Sequence, residues 1–133
     1  MKALLITVLI LICGQTCNVV TRSTILIDNV KPTVWSVRNE LRKLGVKHPT
    51  IVLAQSRLET GNYKSRLTKS HNNLFGFRTK NGYLKFSHWK ESVAYYKRWQ
   101  DRHYKPTNHS SYYNFLRVIG YAEDPNYITK VNK

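Results

Sequence analysis

The chain has 133 residues, room for one ordinary domain, and carries 22 Lys and Arg against 7 Asp and Glu for a formal charge of +15. Such an excess implies a polyanionic partner, whether nucleic acid, an anionic membrane surface or a cell-wall polymer. A 41% hydrophobic and 12% aromatic composition excludes a wholly disordered basic tail, and any acid–base chemistry must draw on Asp28, Glu40, Glu59, Glu91, Asp101, Glu123 or Asp124.

Met1-Lys2 is a minimal positive start, followed by the apolar run Ala3 to Ile12, in which Thr7 is the one hydroxyl. A bilayer-spanning helix needs about 20 apolar residues and this run is roughly half that, which excludes a polytopic membrane protein. Two readings compete, a buried N-terminal element and a signal peptide over residues 1–17 that ends in the polar stretch Cys13-Gly14-Gln15-Thr16-Cys17. The unbroken aliphatic run directly after the initiator favours the second, so the protein is expected to be exported to the periplasm or cell envelope. Both cysteines fall inside this segment, leaving the exported domain without a disulfide, a Cys-ligated zinc or a cysteine nucleophile. Gly14-Gln15-Thr16 is also a loose match to a lipoprotein signal, which makes Cys17 a candidate lipid-bearing residue.

Residues 18–31 lack a helical period and read as a leader or linker, with Ile25-Leu26-Ile27 a candidate short strand; the domain proper is expected over 32–133. A helix begins near Pro32-Thr33, where Thr33 can cap. Val34, Val37, Leu41 and Leu44 recur at helical spacing, and Gly45 supplies the stop. Pro49 suits the first turn of a second helix, whose predicted core face is Ile51, Ala54 and Leu58 and which ends at Thr60-Gly61-Asn62. The segment Ser70 to Gly76 reads as a loop. Phe75 to Ser87 alternates around Asn81-Gly82, a hairpin turn signal. Helical period resumes with Trp89, Ser92, Val93, Tyr96 and Trp99, breaks at Pro106-Thr107-Asn108, and returns from Ser110 through Tyr112, Phe115, Leu116 and Ile119 to Gly120. Asp124-Pro125 reads as an N-cap and first turn of a last short helix holding Ile128 and Val131. The sum is an α+β, mainly α-helical domain with one inserted β-hairpin, in which two lobes flank a cleft.

Glu59 stands out among the carboxylates. It shares with Val52 and Gln55 a stripe about 100° from the predicted core face, in the last turn of its helix. Partial desolvation and the negative end of the helix dipole both raise a carboxyl pKa there, as a general acid requires. On position alone, a surface Glu paired with Arg57, Lys64 or another of the many nearby cations is the favoured reading. Asn72 and Asn73, entering the hairpin, offer neutral donors and acceptors suited to sugar hydroxyls and N-acetyl groups, or to ordinary loop capping. His71 has no spaced His or Cys partner and reads as a loop residue, not a metal ligand.

Four ordered blocks carry a resemblance. Ala54-Gln55 followed by Glu59-Thr60-Gly61, then Asn72-Asn73-Leu74-Phe75-Gly76, then the aromatic helix from Trp89-Lys90-Glu91-Ser92, then Tyr121-Ala122-Glu123-Asp124-Pro125-Asn126-Tyr127 resemble the bacterial peptidoglycan endo-β-N-acetylglucosaminidases. This family is the glucosaminidase domain of autolysins and flagellar cell-wall hydrolases, also described as mannosyl-glycoprotein endo-β-N-acetylglucosaminidase-like. The resemblance implies a lysozyme-like fold, no cofactor or metal, and Glu59 as the acid that protonates the bond between N-acetylglucosamine and N-acetylmuramic acid. It further implies Tyr121 as a catalytic tyrosine facing the cleft, and a sugar-binding wall of Asn73 and Phe75 with Asn72 and Gly76. Asp124 matches a family position too, but its place before Pro125 indicates a helix cap.

One departure matters. Members of the family often carry a second carboxylate in the hairpin lobe, and Phe75 to Ser87 contains none. Glu91, the nearest acid, sits in the first turn of the next helix, where a carboxylate is favoured for dipole reasons. The expected partners are peptidoglycan glycan strands and the anionic envelope, with the protein a monomer. A non-catalytic wall-binding module is the alternative. Nucleic acid is not expected, because the cations are scattered and not striped.

Overall fold

The computed structural model describes residues 30–133. The expected signal peptide, Cys17 and the strand at Ile25-Leu26-Ile27 lie outside the described residues. Helix α1 spans Val34–Lys43 and opens with a reciprocal capping box: the Thr33 side chain accepts the Ser36 amide at 3.1 Å, and Ser36 Oγ accepts the Thr33 amide at 2.9 Å. At its far end Val46 N–H reaches the Leu41 carbonyl and Gly45 N–H that of Arg42, both at 3.0 Å, closing the helix as the glycine signal predicts. Val37 and Leu41 are buried, while Val34, at the head of the predicted stripe, stays exposed.

Helix α2 spans Pro49–Thr60, with proline in its first turn and Gly61 after its last. Its predicted core face is corrected. Val52, Leu53, Gln55, Ser56 and Thr60 are buried, and Leu58 is exposed. The helix is turned to bring the stripe of Val52, Gln55 and Glu59 inward, which apolar periodicity cannot show because three of the five residues it buries are polar. Each buried polar group is satisfied. Ser56 Oγ donates to the Leu53 carbonyl at 2.8 Å, Thr60 Oγ1 to that of Ser56 at 2.6 Å, and Gln55 bonds to two tyrosines.

The expected loop after α2 contains a helix, α3, over Arg66–His71, capped by Ser65 and burying only Thr68. With one buried residue it has no apolar period to detect, so His71, expected in a loop, is its last residue. Strands β1 (Arg78–Thr79) and β2 (Gly82–Tyr83) pair antiparallel with Arg78 opposite Tyr83 and Thr79 opposite Gly82. The two-residue turn is therefore Lys80-Asn81, one position earlier than the Asn-Gly signal suggests. Gly82, at φ 115°, takes the positive dihedral, and neither Lys80 nor Asn81 does.

The ladder is short because side chains replace it. Asn73 Nδ2 donates to the carbonyls of Phe77 (2.8 Å) and Leu84 (3.0 Å), and its Oδ1 accepts the amides of Phe75 (3.3 Å) and Phe77 (3.2 Å). Asn72 Nδ2 donates to the carbonyls of Phe86 and Ser87, each at 3.1 Å. The two amides thus hold both arms of the hairpin to the end of α3.

Helix α4 spans Trp89–His103 and packs Trp89, Ser92, Val93 and Tyr96 inward as predicted, together with Gln100, which the apolar pattern omits. A 3₁₀ turn at Pro106–Asn108 leads to α5 (Tyr112–Val118), capped by Ser111. The last helix, α6, spans Tyr127–Val131 and starts later than the Asp124-Pro125 signal suggests. Asp124 still organises the approach, with Oδ1 accepting the Asn126 amide at 2.9 Å and its carbonyl that of Tyr127 at 3.0 Å. Residues Pro32–Lys133 form one compact unit. With 56% of the described residues helical around one two-stranded sheet, the class is α+β and mainly helical, as expected. Among the described residues no helix is long and apolar enough to cross a membrane.

Asn73→Ala removes four hydrogen bonds and leaves buried backbone groups of the hairpin unpaired. It is expected to lower unfolding stability by about 3 kcal/mol, read as a shift of the urea midpoint.

Candidate active site

Glu59 sits one residue before the end of α2, half-buried. Burial pushes its carboxyl above the usual range, and the neighbouring Tyr127 hydroxyl, which favours the charged form, opposes part of that rise. The far side of the carboxyl is closed by backbone. Gly76 has φ +68°, and a methyl group built on it would lie 2.9 Å from Glu59 Oε2. Gly76 is thus required twice over, for its left-handed dihedral and for the room it leaves the acid. Glycine at the end of the Asn-Asn-Leu-Phe-Gly block belongs to the wall of the acid.

Gly76 also borders a groove of about 270 Å³, which the base of the hairpin (Phe75 to Arg78), Trp99 of α4 and the loop Ile119-Gly120-Tyr121 enclose. Tyr121 has its hydroxyl end buried, donating to the Phe75 carbonyl at 3.1 Å, while the rest of the ring is partly exposed on the groove. Burial, then the neighbouring Tyr127 phenol and the Glu59 charge, push the Tyr121 phenol well above its ordinary value, so it stays neutral. A second cavity, of about 280 Å³ between α1, α2 and the chain end, is lined by none of the expected site residues.

The family described as mannosyl-glycoprotein endo-β-N-acetylglucosaminidase, the Glucosaminidase family, matches residues 35–133. The chain belongs to the Glucosaminidase family. No curated protein and no solved structure matches the chain. The match covers every described element except the first residue of α1, so this glucosaminidase domain is a glycoside hydrolase of a cell-wall glycosidase family, and its substrate class is a glycan.

Within the glucosaminidase the expected site residues separate into two groups. Gly76 and Tyr121 line the groove, and Glu59 lies directly against Gly76. Asn73 does not present itself to a sugar: it has no exposed surface, and its amide is spent on the hairpin. Asn72 ends α3 in a left-handed conformation, with its amide nitrogen committed to Phe86 and Ser87. Phe75 is buried, its ring packed on Tyr96 at a centroid distance of 4.4 Å, so it offers the groove little beyond its backbone. The sugar-binding role expected of these three gives way to a positioning one, because each supports the segment that carries Gly76.

Glu91 is held elsewhere. Its two oxygens accept Ser87 N–H (3.0 Å) and Ser87 Oγ–H (2.6 Å) at the start of α4, and these bonds hold its pKa below the usual range. The residue sequence reasoning missed is Tyr127, whose hydroxyl reaches Glu59. Its signal lies in the i, i+4 spacing of Gln55 and Glu59, which puts an amide and an acid on one helix face. Among the described residues no group of three His, Cys, Asp or Glu is placed to hold a metal ion.

Gly76→Ala is expected to destabilise the fold by about 2–3 kcal/mol, and Gly120→Ala by about 1 kcal/mol. Gly120 has a similar φ of +64° but nothing within 4 Å of an added methyl, so the difference in urea midpoints isolates the clash with Glu59.

Proposed function

We propose that the protein is an exported peptidoglycan hydrolase that cleaves the N-acetylglucosaminyl-β-1,4-N-acetylmuramic acid bond with Glu59 as general acid. One observation carries this reading: a half-buried carboxyl, pushed by burial toward its protonated form and set against Gly76, which itself borders the groove. A group that keeps its proton further toward neutral pH can give it to the glycosidic oxygen as the C1–O bond breaks.

The positive charge left on C1 needs an electron pair from elsewhere. The hairpin has no carboxylate, and Glu91 is tied to Ser87. The N-acetyl oxygen of the substrate's own glucosamine is therefore the internal nucleophile in this proposal. It bonds to C1 as the leaving oxygen takes the Glu59 proton; water then attacks C1 and displaces the N-acetyl oxygen, returns a proton to Glu59 and leaves a reducing end. The partly exposed face of Tyr121 borders the sugar undergoing this change.

The charge of +15 supports a role in the envelope, where anionic polymers retain a basic protein near its insoluble substrate. The apolar run of residues 3–12 supports export, with Cys17 a lipid-anchoring site where cleavage falls before it. The missing hairpin carboxylate also favours a second reading, a wall-binding module that sediments with sacculi and releases nothing.

Residues 18–133 incubated with sacculi are expected to release soluble fragments with new reducing ends. Glu59→Gln is expected to reduce that release by a factor of about 10²–10⁴ without loss of sacculus binding. Equal release by both proteins overturns the assignment of the acid, and binding without release by either establishes the second reading. Because burial raises the carboxyl pKa, activity is expected to persist above the ordinary range of glutamate titration and to fall as Glu59 loses its proton.

A further inference from the structure

Behind Glu59 the core contains an unbroken series of side-chain hydrogen bonds whose direction is determined at its far end. Gln100 is buried, and its amide clamps the backbone of Lys47: Oε1 accepts Lys47 N–H at 2.7 Å, and Nε2 donates to the Lys47 carbonyl at 2.9 Å. Backbone donors and acceptors cannot exchange roles, so this amide has one orientation. The second Nε2 proton goes to the Tyr112 hydroxyl at 2.9 Å. Tyr112 stands 2.7 Å from the Tyr96 hydroxyl, which in turn stands 2.7 Å from Gln55 Oε1.

An amide oxygen only accepts, so the Tyr96 proton points at Gln55, and the Tyr112 proton points at Tyr96. With Oε1 so engaged, Gln55 must present its NH₂ to Tyr127, 3.2 Å away. Tyr127 then accepts from Gln55, and its own proton is left for Glu59. Gln55, Tyr96, Tyr112 and Gln100 are each at most 1% exposed, so water has little access to reverse the sequence.

We propose that Gln55, Tyr96, Tyr112 and Gln100 are positioning residues that force the Tyr127 hydroxyl to act as a donor toward Glu59, so that the backbone of Lys47 dictates how the acid is held. This rests on Glu59 being the acid of the preceding section. A Tyr127 that accepted from Glu59 would trap the proton the reaction needs and favour the neutral acid. As a donor it favours the carboxylate left after proton transfer, and so offsets the burial that makes Glu59 acidic only reluctantly. The phenols can serve this way at any working pH because burial keeps them protonated, with Tyr112 pushed up to about 12 and Tyr96 well above its ordinary value. The titratable groups coupled to Glu59 are the two phenols that face it, Tyr127 of α6 and Tyr121 of the preceding loop. On its own helix the nearest cation, Arg57, is turned to Asn62, its Nε donating at 2.9 Å.

The test measures Glu59 directly and therefore does not require turnover. In the full domain labelled with ¹³C at glutamate Cδ, with the Glu59 signal assigned by its loss in Glu59→Gln, Tyr127→Phe is expected to raise the Glu59 midpoint by about one pH unit. Tyr96→Phe is expected to raise it by less, and to add nothing in the Tyr96→Phe/Tyr127→Phe double variant, because its effect passes through the Tyr127 hydroxyl. Should Tyr96→Phe fail to fold, Gln55→Met breaks the same series one link closer and carries the same expectation.

In the active enzyme the basic limb of the kcat/KM profile on sacculi is expected to move upward with the titration midpoint. An unchanged midpoint in Tyr127→Phe, or equal shifts from Tyr96→Phe with and without the Tyr127 hydroxyl, overturns the inference. Full activity in Glu59→Gln instead overturns the reading on which it rests, and leaves the hydrogen-bond series a feature of the core alone.

Discussion

Holding a carboxyl partly out of water at the end of a helix is the constraint on which the rest of this domain depends. Neither the position nor the burial favours an acid there, since the last turn presents carbonyl oxygens and the low-dielectric surroundings penalise charge. The domain meets that cost with a buried polar network in place of a counter-ion. Cations are abundant, 22 in the chain, yet the two ion pairs among the described residues, Lys97–Asp101 and Lys130–Asp124, are on the surface and far along the sequence from Glu59. A buried arginine beside the carboxyl would hold it ionised and unable to donate a proton. A neutral phenol stabilises the anion enough to retain the acid in place and still permits protonation.

The hairpin obeys a related rule. A ladder two residues long on each side contributes little to its own stability, and the segment that must touch Glu59 cannot be left to it. Asn73 substitutes for the missing ladder by satisfying backbone groups on both arms, and Asn72 attaches the return arm to the end of α3. Gly76 is then set against Oε2 by the same structure that closes the hairpin. The Asn-Asn-Leu-Phe-Gly block, which reads as a sugar-binding wall, is better understood as the support of the acid, with Leu74 and Phe75 as its buried anchors. Conservative amide-to-hydroxyl changes at Asn73 cannot reproduce four bonds from one planar group.

The legible part of the fold was the part with apolar period or with strong punctuation. Thr33, Gly45, Pro49 and Gly61 lie where caps and stops were expected, and the α4 face was readable from Trp89 to Tyr96. What escaped reading shares one cause: interior polarity. The inward face of α2 buries Gln55, Ser56 and Thr60, α4 buries Gln100, and α3 buries only a threonine. Hydrophobic patterning assigns such residues to the surface, which rotated the predicted core of α2 away from the observed one. Glu59 and Tyr121 could be singled out because position or resemblance marked them. Tyr127 could not, since its role depends on a partner 68 residues earlier in the chain and on the orientation of an amide that no spacing rule describes.

The same polarity bears on how the reaction is divided between protein and substrate. A second carboxylate near the first would have to lose its proton beside a half-buried Glu59, and each would raise the other's pKa. The hairpin avoids that coupling by carrying only Arg78, Lys80 and Lys85 as charged groups between Phe75 and Ser87. In the proposed mechanism the protein supplies one acid and a set of neutral dipoles, and the nucleophile is drawn from the sugar, whose N-acetyl oxygen is placed beside C1 by its own ring and needs no further ordering. A small domain with six carboxylates gains by this arrangement. Its excess of positive charge can be kept on the surface without setting the protonation state of the carboxyl inside.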